Sequence, residues 1–204
     1  MADFVYLKTN KLRQLTEEQY INNAWAFKEQ MEGYGWTLNA ICGALGNIDH
    51  ESQINPGQWQ KGFAIGSKNA GFGLPQFTPS TKYTDWAKGK GRDIYSGYWQ
   101  CYTINYQDYG IEWTPKGIMS YDDFKKSTES AEYLAEVFMK CYERPGSPQL
   151  PSRKAYAKKW WDYFGGAPTP PEPPTPPDPP TPPDIHSVSN FNFLFYCLRR
   201  QGGI

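Results

Sequence analysis

Apolar residues recur every three or four positions over several stretches of the chain, the period of helices with one face in a core. Thr16 followed by Gln19 forms a capping box for TEEQYINNAWAFKEQM, and Gly33 or Gly35 ends that helix. Thr37 caps a second helix, LNAICGALGNIDHES, which Asn55-Pro56 stops. Its apolar stripe is Leu38, Ile41, Leu45 and Ile48, with Ala44 and Asn47 alongside. Two later helices are predicted over STESAEYLAEVFMKCYE and PSRKAYAKKWWDYF. Their rows Tyr133, Val137, Cys141 and Tyr156, Trp160, Tyr163 have core-facing spacing. Residues 57–79, rich in Gly, Asn, Ser and Pro, read as short strands and loops. The pattern is that of a mainly α (α+β) domain.

The pattern stops near residue 165. Residues 1–165 form one block of single-domain size. Eleven of the 18 prolines then lie between Pro168 and Pro183. Each proline fixes its own φ and biases the preceding residue towards extended backbone, so residues 166–184 are expected to form a polyproline II spacer. Residues 185–204, IHSVSNFNFLFYCLRRQGGI, are too short for a domain. They read as a docking peptide, the start of a truncated second domain, or a weak membrane contact.

Composition narrows the function classes. Twenty-one basic residues balance 21 acidic ones, which disfavours nucleic acid as a partner. No apolar run has signal-peptide length, and none approaches the roughly 18 residues of a membrane span, so stable membrane insertion is not expected. Cys42, Cys101, Cys141 and Cys197 form no CxxC pair and read as isolated thiols rather than zinc ligands. With two histidines, His50 and His186, a histidine-rich metal site is excluded. Neither a metal nor another cofactor is called for. A Cys42–His50 nucleophile pair fails on distance: eight residues along one helix separate them by about 12 Å, against the roughly 3 Å such a pair needs. Aromatic residues number 34, and rings both fill cores and stack on sugars.

The segment with the most chemistry is the end of the second helix. Glu51 lies one turn beyond Asn47 and Ile48, where the apolar stripe runs out. A carboxyl at such a margin is either solvated or partly desolvated next to the negative end of the helix dipole. The second case favours the protonated form that a general acid for glycoside cleavage requires.

The string GNIDHESQINP over residues 46–56, followed by GFGLPQF over 71–77, resembles the phage tail lysozyme family. So do LTEEQYINNAWAF and GYGWTLNAICGALGNI upstream, and CYERPG and SRKAYAKKWWDYF downstream. The resemblance covers roughly residues 12–164. More distantly, Glu51-Ser52 and the Gly-Leu-x-Gln string resemble goose-type lysozymes and soluble lytic transglycosylases. The resemblance implies a lysozyme-like fold with a small β element beside a cleft. It also implies a virion-borne enzyme, made in the host cytoplasm, that cuts peptidoglycan during cell-wall penetration. Carried onto this chain, Glu51 is the catalytic acid and Ser52 its motif neighbour. Gln76 is placed to hydrogen-bond the sugar, and Phe77 stands where the family often carries Trp. Phe72 and Trp59 join these as candidate substrate contacts. Phage tail structural proteins, held through residues 185–204, are the implied partners.

A second carboxyl group is missing from its usual place. Most glycosidases use two, yet no Asp or Glu occurs between Glu51 and Asp85. Three readings stay open: Asp85 or Asp93 activates water, the substrate's N-acetyl group assists, or Glu51 acts alone as acid and base, as in lytic transglycosylases. Glu143 of CYERPG reads as an ion pair or cap with Arg144 or Arg153. A glycan-binding tail protein without activity is the alternative outside enzymology.

Overall fold

Helix α2 (Leu38–Ser52) is the axis of the structure, a computed structural model describing residues 3–110 and 112–166. Eleven of its fifteen residues are buried, so it is enclosed on nearly every side rather than along one stripe. Two glycines make this possible. A Cβ on Gly43 would lie 2.7 Å from Leu134 Cβ, and one on Gly46 would lie 2.5 Å from the Arg153 carbonyl oxygen. The backbone of α2 therefore approaches α6 (Ala131–Phe138) on one side and α7 (Leu150–Gly166) on the other, closer than any side chain allows. Thr37 caps α2, its hydroxyl accepting from the Ala40 amide. The helix ends as Gln53 and Ile54 both turn left-handed, before Asn55-Pro56.

Helix α1 (Glu17–Gly33) starts at the expected capping box, with Thr16 and Gln19 each bonding the other's backbone amide. Three helices that the apolar spacing had not marked complete the α set: α3 (Thr81–Gly89), α4 (Gly97–Tyr106) and α5 (Tyr121–Lys126). They are short, and aromatic clusters rather than clean stripes hold them. Trp36, for example, meets Tyr121 and Phe124 edge-on and donates its indole N–H to Asn105 at 2.9 Å.

The stretch read as one helix through CYE is two elements. Helix α6 stops at Phe138 and passes into a π-helical turn over Met139–Glu143. The buried face of α6 is Ala131, Leu134, Ala135, Val137 and Phe138, whereas Tyr133, placed in the core by spacing, is exposed. On α7 the buried residues are Arg153, Ala157 and Trp160, flanked by partly exposed Tyr156 and Tyr163. Gly165 and Gly166, the pair expected to open the tail, form the last turn of α7.

Residues 57–79 contain the expected β element in reduced form. Isolated bridges join Trp59 to Phe72 and Phe72 to Phe77, and Thr9 pairs with Gln58. Cys42, Cys101 and Cys141 are free, buried thiols. No described helix is long and apolar enough to cross a membrane. The proline segment, residues 185–204, Cys197 and His186 lie outside the described residues.

The close approach of α2 to α7 makes a direct prediction. Both atoms nearest a Gly46 Cβ in α7 are backbone, the Arg153 oxygen at 2.5 Å and the Ala157 nitrogen at 2.7 Å, so the helices must separate. Gly46→Ala is expected to cost about 1–3 kcal/mol in urea unfolding. Gly33→Ala, where nothing lies within 4 Å of the added carbon, should instead stabilise by about 0.5–1 kcal/mol. Equal stability of Gly46→Ala and the unmodified protein would contradict the packing described.

Candidate active site

Where α2 runs out of core, its last turn presents Glu51 to a cavity of about 430 Å³. Parts of the chain beyond α2 complete the lining, among them Gln60 of the bridged loop and Lys82 of α3. Gly71 and Pro75 to Thr78 come from the bridged loop, Tyr109 and Glu112 follow α4, and Tyr142 to Gly146 come from the π-helical turn and the loop after it. The cavity is polar at its charged end and aromatic beside it.

Glu51 is anchored from below. Arg153, 1% exposed, donates from Nη2 to its Oε1, from Nη1 to Asn47 Oδ1 at 2.9 Å, and from Nε to the Pro148 carbonyl at 3.0 Å. Asn47 in turn donates to the carbonyls of Gly43 and Ala135. One network therefore aims the Glu51 carboxylate and joins α2, α6 and α7. The Glu51 side chain keeps 22% exposure on the cleft side.

Gln76 lines the same cavity as Glu51 and has a left-handed backbone, φ 51°. Its amide nitrogen donates to the carbonyls of Gly73 and Gln58 at 3.0 and 3.2 Å. Its Oε1 accepts no hydrogen bond among the described residues, so Gln76 has an acceptor free for a ligand N–H or O–H. Phe77 also lines the cavity but is 5% exposed, and one ring face is covered by Tyr83 at 4.7 Å. Ser52 is buried, its hydroxyl donating to the Ile48 carbonyl at 3.1 Å, and it shapes the helix end.

The remaining sequence candidates lie elsewhere. Phe72 has no exposed surface and packs on Trp59 at 4.4 Å, itself 3% exposed. Neither ring offers a face to a sugar. Asp85, on α3, lines a separate depression with Trp59 and Lys88. Asp93 lines a third depression with Phe4 and Tyr95.

Two carboxyl groups that spacing did not mark do reach the cavity. Glu112 is fully paired, to Lys82 at 2.8 Å and to Arg144 at 2.9 Å. Glu143, at the end of the π-helical turn, pairs with neither expected arginine. Arg153 is committed to Glu51, and Arg144 to Glu112 and the Cys141 carbonyl. Glu143 Oε1 is buried without a partner. Burial, and then the negative charge of Glu51, push the Glu143 carboxyl well above the usual carboxylate range; Arg153 and Arg144 offset part of this. The cavity thus brings together a carboxyl group held by an arginine and a second carboxyl that favours its proton. The one sequence signal for Glu143 was its place in CYERPG.

Helices enclosing a buried axis, with a glutamate at the axis end opposite a Gln-bearing loop, define a lysozyme-like protein. The chain matches the family model described as phage tail lysozyme over residues 22–164, and it belongs to that family. It is also 44% identical over 135 residues to "Morphogenesis protein 1" of Bacillus phage B103. That match takes in 65% of this chain and 36% of the relative, so the chain spans little more than a third of the relative's length.

The state of Glu143 has a consequence for stability. Its folded value lies above its unfolded one, about 4.3, so folding favours the protonated form. The contribution is fully present below that pH and is lost as pH rises through the folded value. Glu143→Gln, which removes a buried carboxylate without a partner, is expected to stabilise by about 1–3 kcal/mol at pH 8. The gain should vanish near pH 4 in thermal melts. A gain independent of pH would contradict this placement.

Proposed function

We propose that the chain is a muramidase that cleaves the N-acetylmuramic acid to N-acetylglucosamine bond of peptidoglycan, with Glu51 as the general acid. The observation that carries this reading is the meeting in one cavity of Glu51 and Gln76. They lie 25 residues apart in sequence, in two strings that both resemble the phage tail lysozyme pattern. Arg153 and Asn47 orient Glu51 from the core side, which leaves its cleft side for the glycosidic oxygen. Gln76 Oε1 accepts from an N-acetyl N–H or a hydroxyl, and this fixes the sugar against the loop.

Hydrolysis is favoured over release of an anhydro product because Glu51 does not stand alone. Glu143 lines the same cavity, whereas an acid acting by itself is the hallmark of the transglycosylase reading. The setting proposed is the phage tail, where the protein opens the cell wall as the particle penetrates. Residues 185–204 are proposed to dock to tail structural proteins. The formal charge of zero gives weak long-range attraction to a wall, so the particle rather than electrostatics delivers the enzyme.

The test is lysis of isolated cell walls by the full chain and by Glu51→Gln. Loss of the acid should lower the rate by about 10²- to 10⁴-fold without loss of the fold. Unchanged lysis would remove Glu51 from the mechanism. A glycan-binding protein without activity would lyse with neither form.

A further inference from the structure

The muramidase reading counts Glu143 among the cavity groups but gives it no chemical step. It sits on a π-helical turn, a backbone form that recurs at functional sites. Its Oε1 is buried and unpartnered, and the bonds that Arg144 and Arg153 make go instead to Glu112, Cys141, Asn47, Glu51 and Pro148. An ordinary structural glutamate would accept at least one of those bonds. Glu51, from α2, lines the same cavity and bears on it directly.

We propose that Glu143 is the proton-holding partner of Glu51, so that the two carboxyl groups carry one proton between them and the pair is the acid of the cleft. This rests on the muramidase reading and extends it. Glu143 acts through Glu51 and is a positioning residue for the proton.

In the resting cleft the pair has one proton and one negative charge, and Arg153 steadies the charge on Glu51. The proton passes through Glu51 to the glycosidic oxygen. The bond from the anomeric carbon to that oxygen breaks, and its electron pair stays with the leaving sugar. Water adds to the anomeric carbon and yields a proton to the pair, then doubly negative, which returns to its starting state. One water is consumed per bond and no other reactant is needed.

The groups around Glu143 account for the proton's position. The charges that act on Glu143 are those of Glu51 on α2, Arg153 on α7, Glu112 in the segment after α4, and Arg144, which follows it in the chain. Lys82 of α3 and Arg144 neutralise Glu112 by direct pairing. The hydroxyls of Tyr109 and Tyr142, 3.1 Å apart, bond each other. Glu51, although held by Arg153, is the carboxyl whose negative charge weighs most on Glu143.

The experiment is the pH dependence of kcat on soluble glycan strands for the full chain, Glu143→Gln, Glu143→Asp and Glu51→Gln. Glu143→Gln should keep its fold, and the alkaline limb of its profile should move down by about one pH unit or more. The rate at pH 7 should fall about tenfold, with partial return in Glu143→Asp. A structural role would change yield or melting temperature but leave the limb in place, and an unmoved limb overturns the proposal while leaving the muramidase reading intact. Full activity of Glu51→Gln overturns that reading itself. Should Glu143→Gln not fold, carboxyl ¹³C titration of the unmodified protein decides. Two linked steps seen at both glutamates support the pair, and independent single steps overturn it.

Discussion

A guanidinium group buried at the contact of α2 and α7 organises this protein. Arg153 has almost no solvent exposure, and a charge so placed is tolerable only if its donors are satisfied. Asn47, Glu51 and the Pro148 carbonyl satisfy them. Removing one partner would strand a buried charge, at about 3–5 kcal/mol for comparable pairs. The core and the cleft are thus one construction: the contact that locks α7 onto α2 also sets the direction of Glu51. Gly46 is its steric condition, since any side chain there would hold Arg153's backbone away.

A second polar anchor lies on another face of α2. Buried Asp49 accepts from the Trp160 indole at 2.8 Å and from the Tyr20 hydroxyl, which ties α2 to α7 and α1 together. Burial raises the Asp49 carboxyl, and these two donors oppose the rise. Beyond α2, rings take over. Trp59, Phe72, Tyr83, Phe77 and Tyr109 form a connected series behind the Gln76 loop. A loop with isolated β-bridges is made firm by this packing rather than by strand pairing. Further ring clusters lie along α4, between α5 and α6, and between α1 and α7.

The legible parts of the sequence were those with local rules. Thr16 with Gln19, and Thr37, mark helix starts because capping is decided within four residues. Glu51 and Gln76 were legible through motif strings, and both line the cleft. Helices α3 to α5 escaped because aromatic clusters formed by distant residues, not a periodic stripe, hold them. The switch from α6 to a π-helical turn has no period of its own, so Glu143 read as a helix-end ion pair. Asp85 and Asp93 are the next acids along the chain, whereas the cleft draws its other carboxyls from Glu112 and Glu143. Those lie some 60 to 90 residues beyond Glu51 and are brought in by tertiary contacts.

In the proposed mechanism the cleft is that of a water-using glycosidase, in which Arg153 aims one carboxyl and Glu143 keeps a proton at hand. The most direct test is digestion of purified peptidoglycan strands by the unmodified protein in ¹⁸O-water, with product masses read by mass spectrometry. The account predicts reducing-end fragments, each carrying one ¹⁸O per bond cleaved. Anhydro fragments without the label, or strands left uncut, would contradict it.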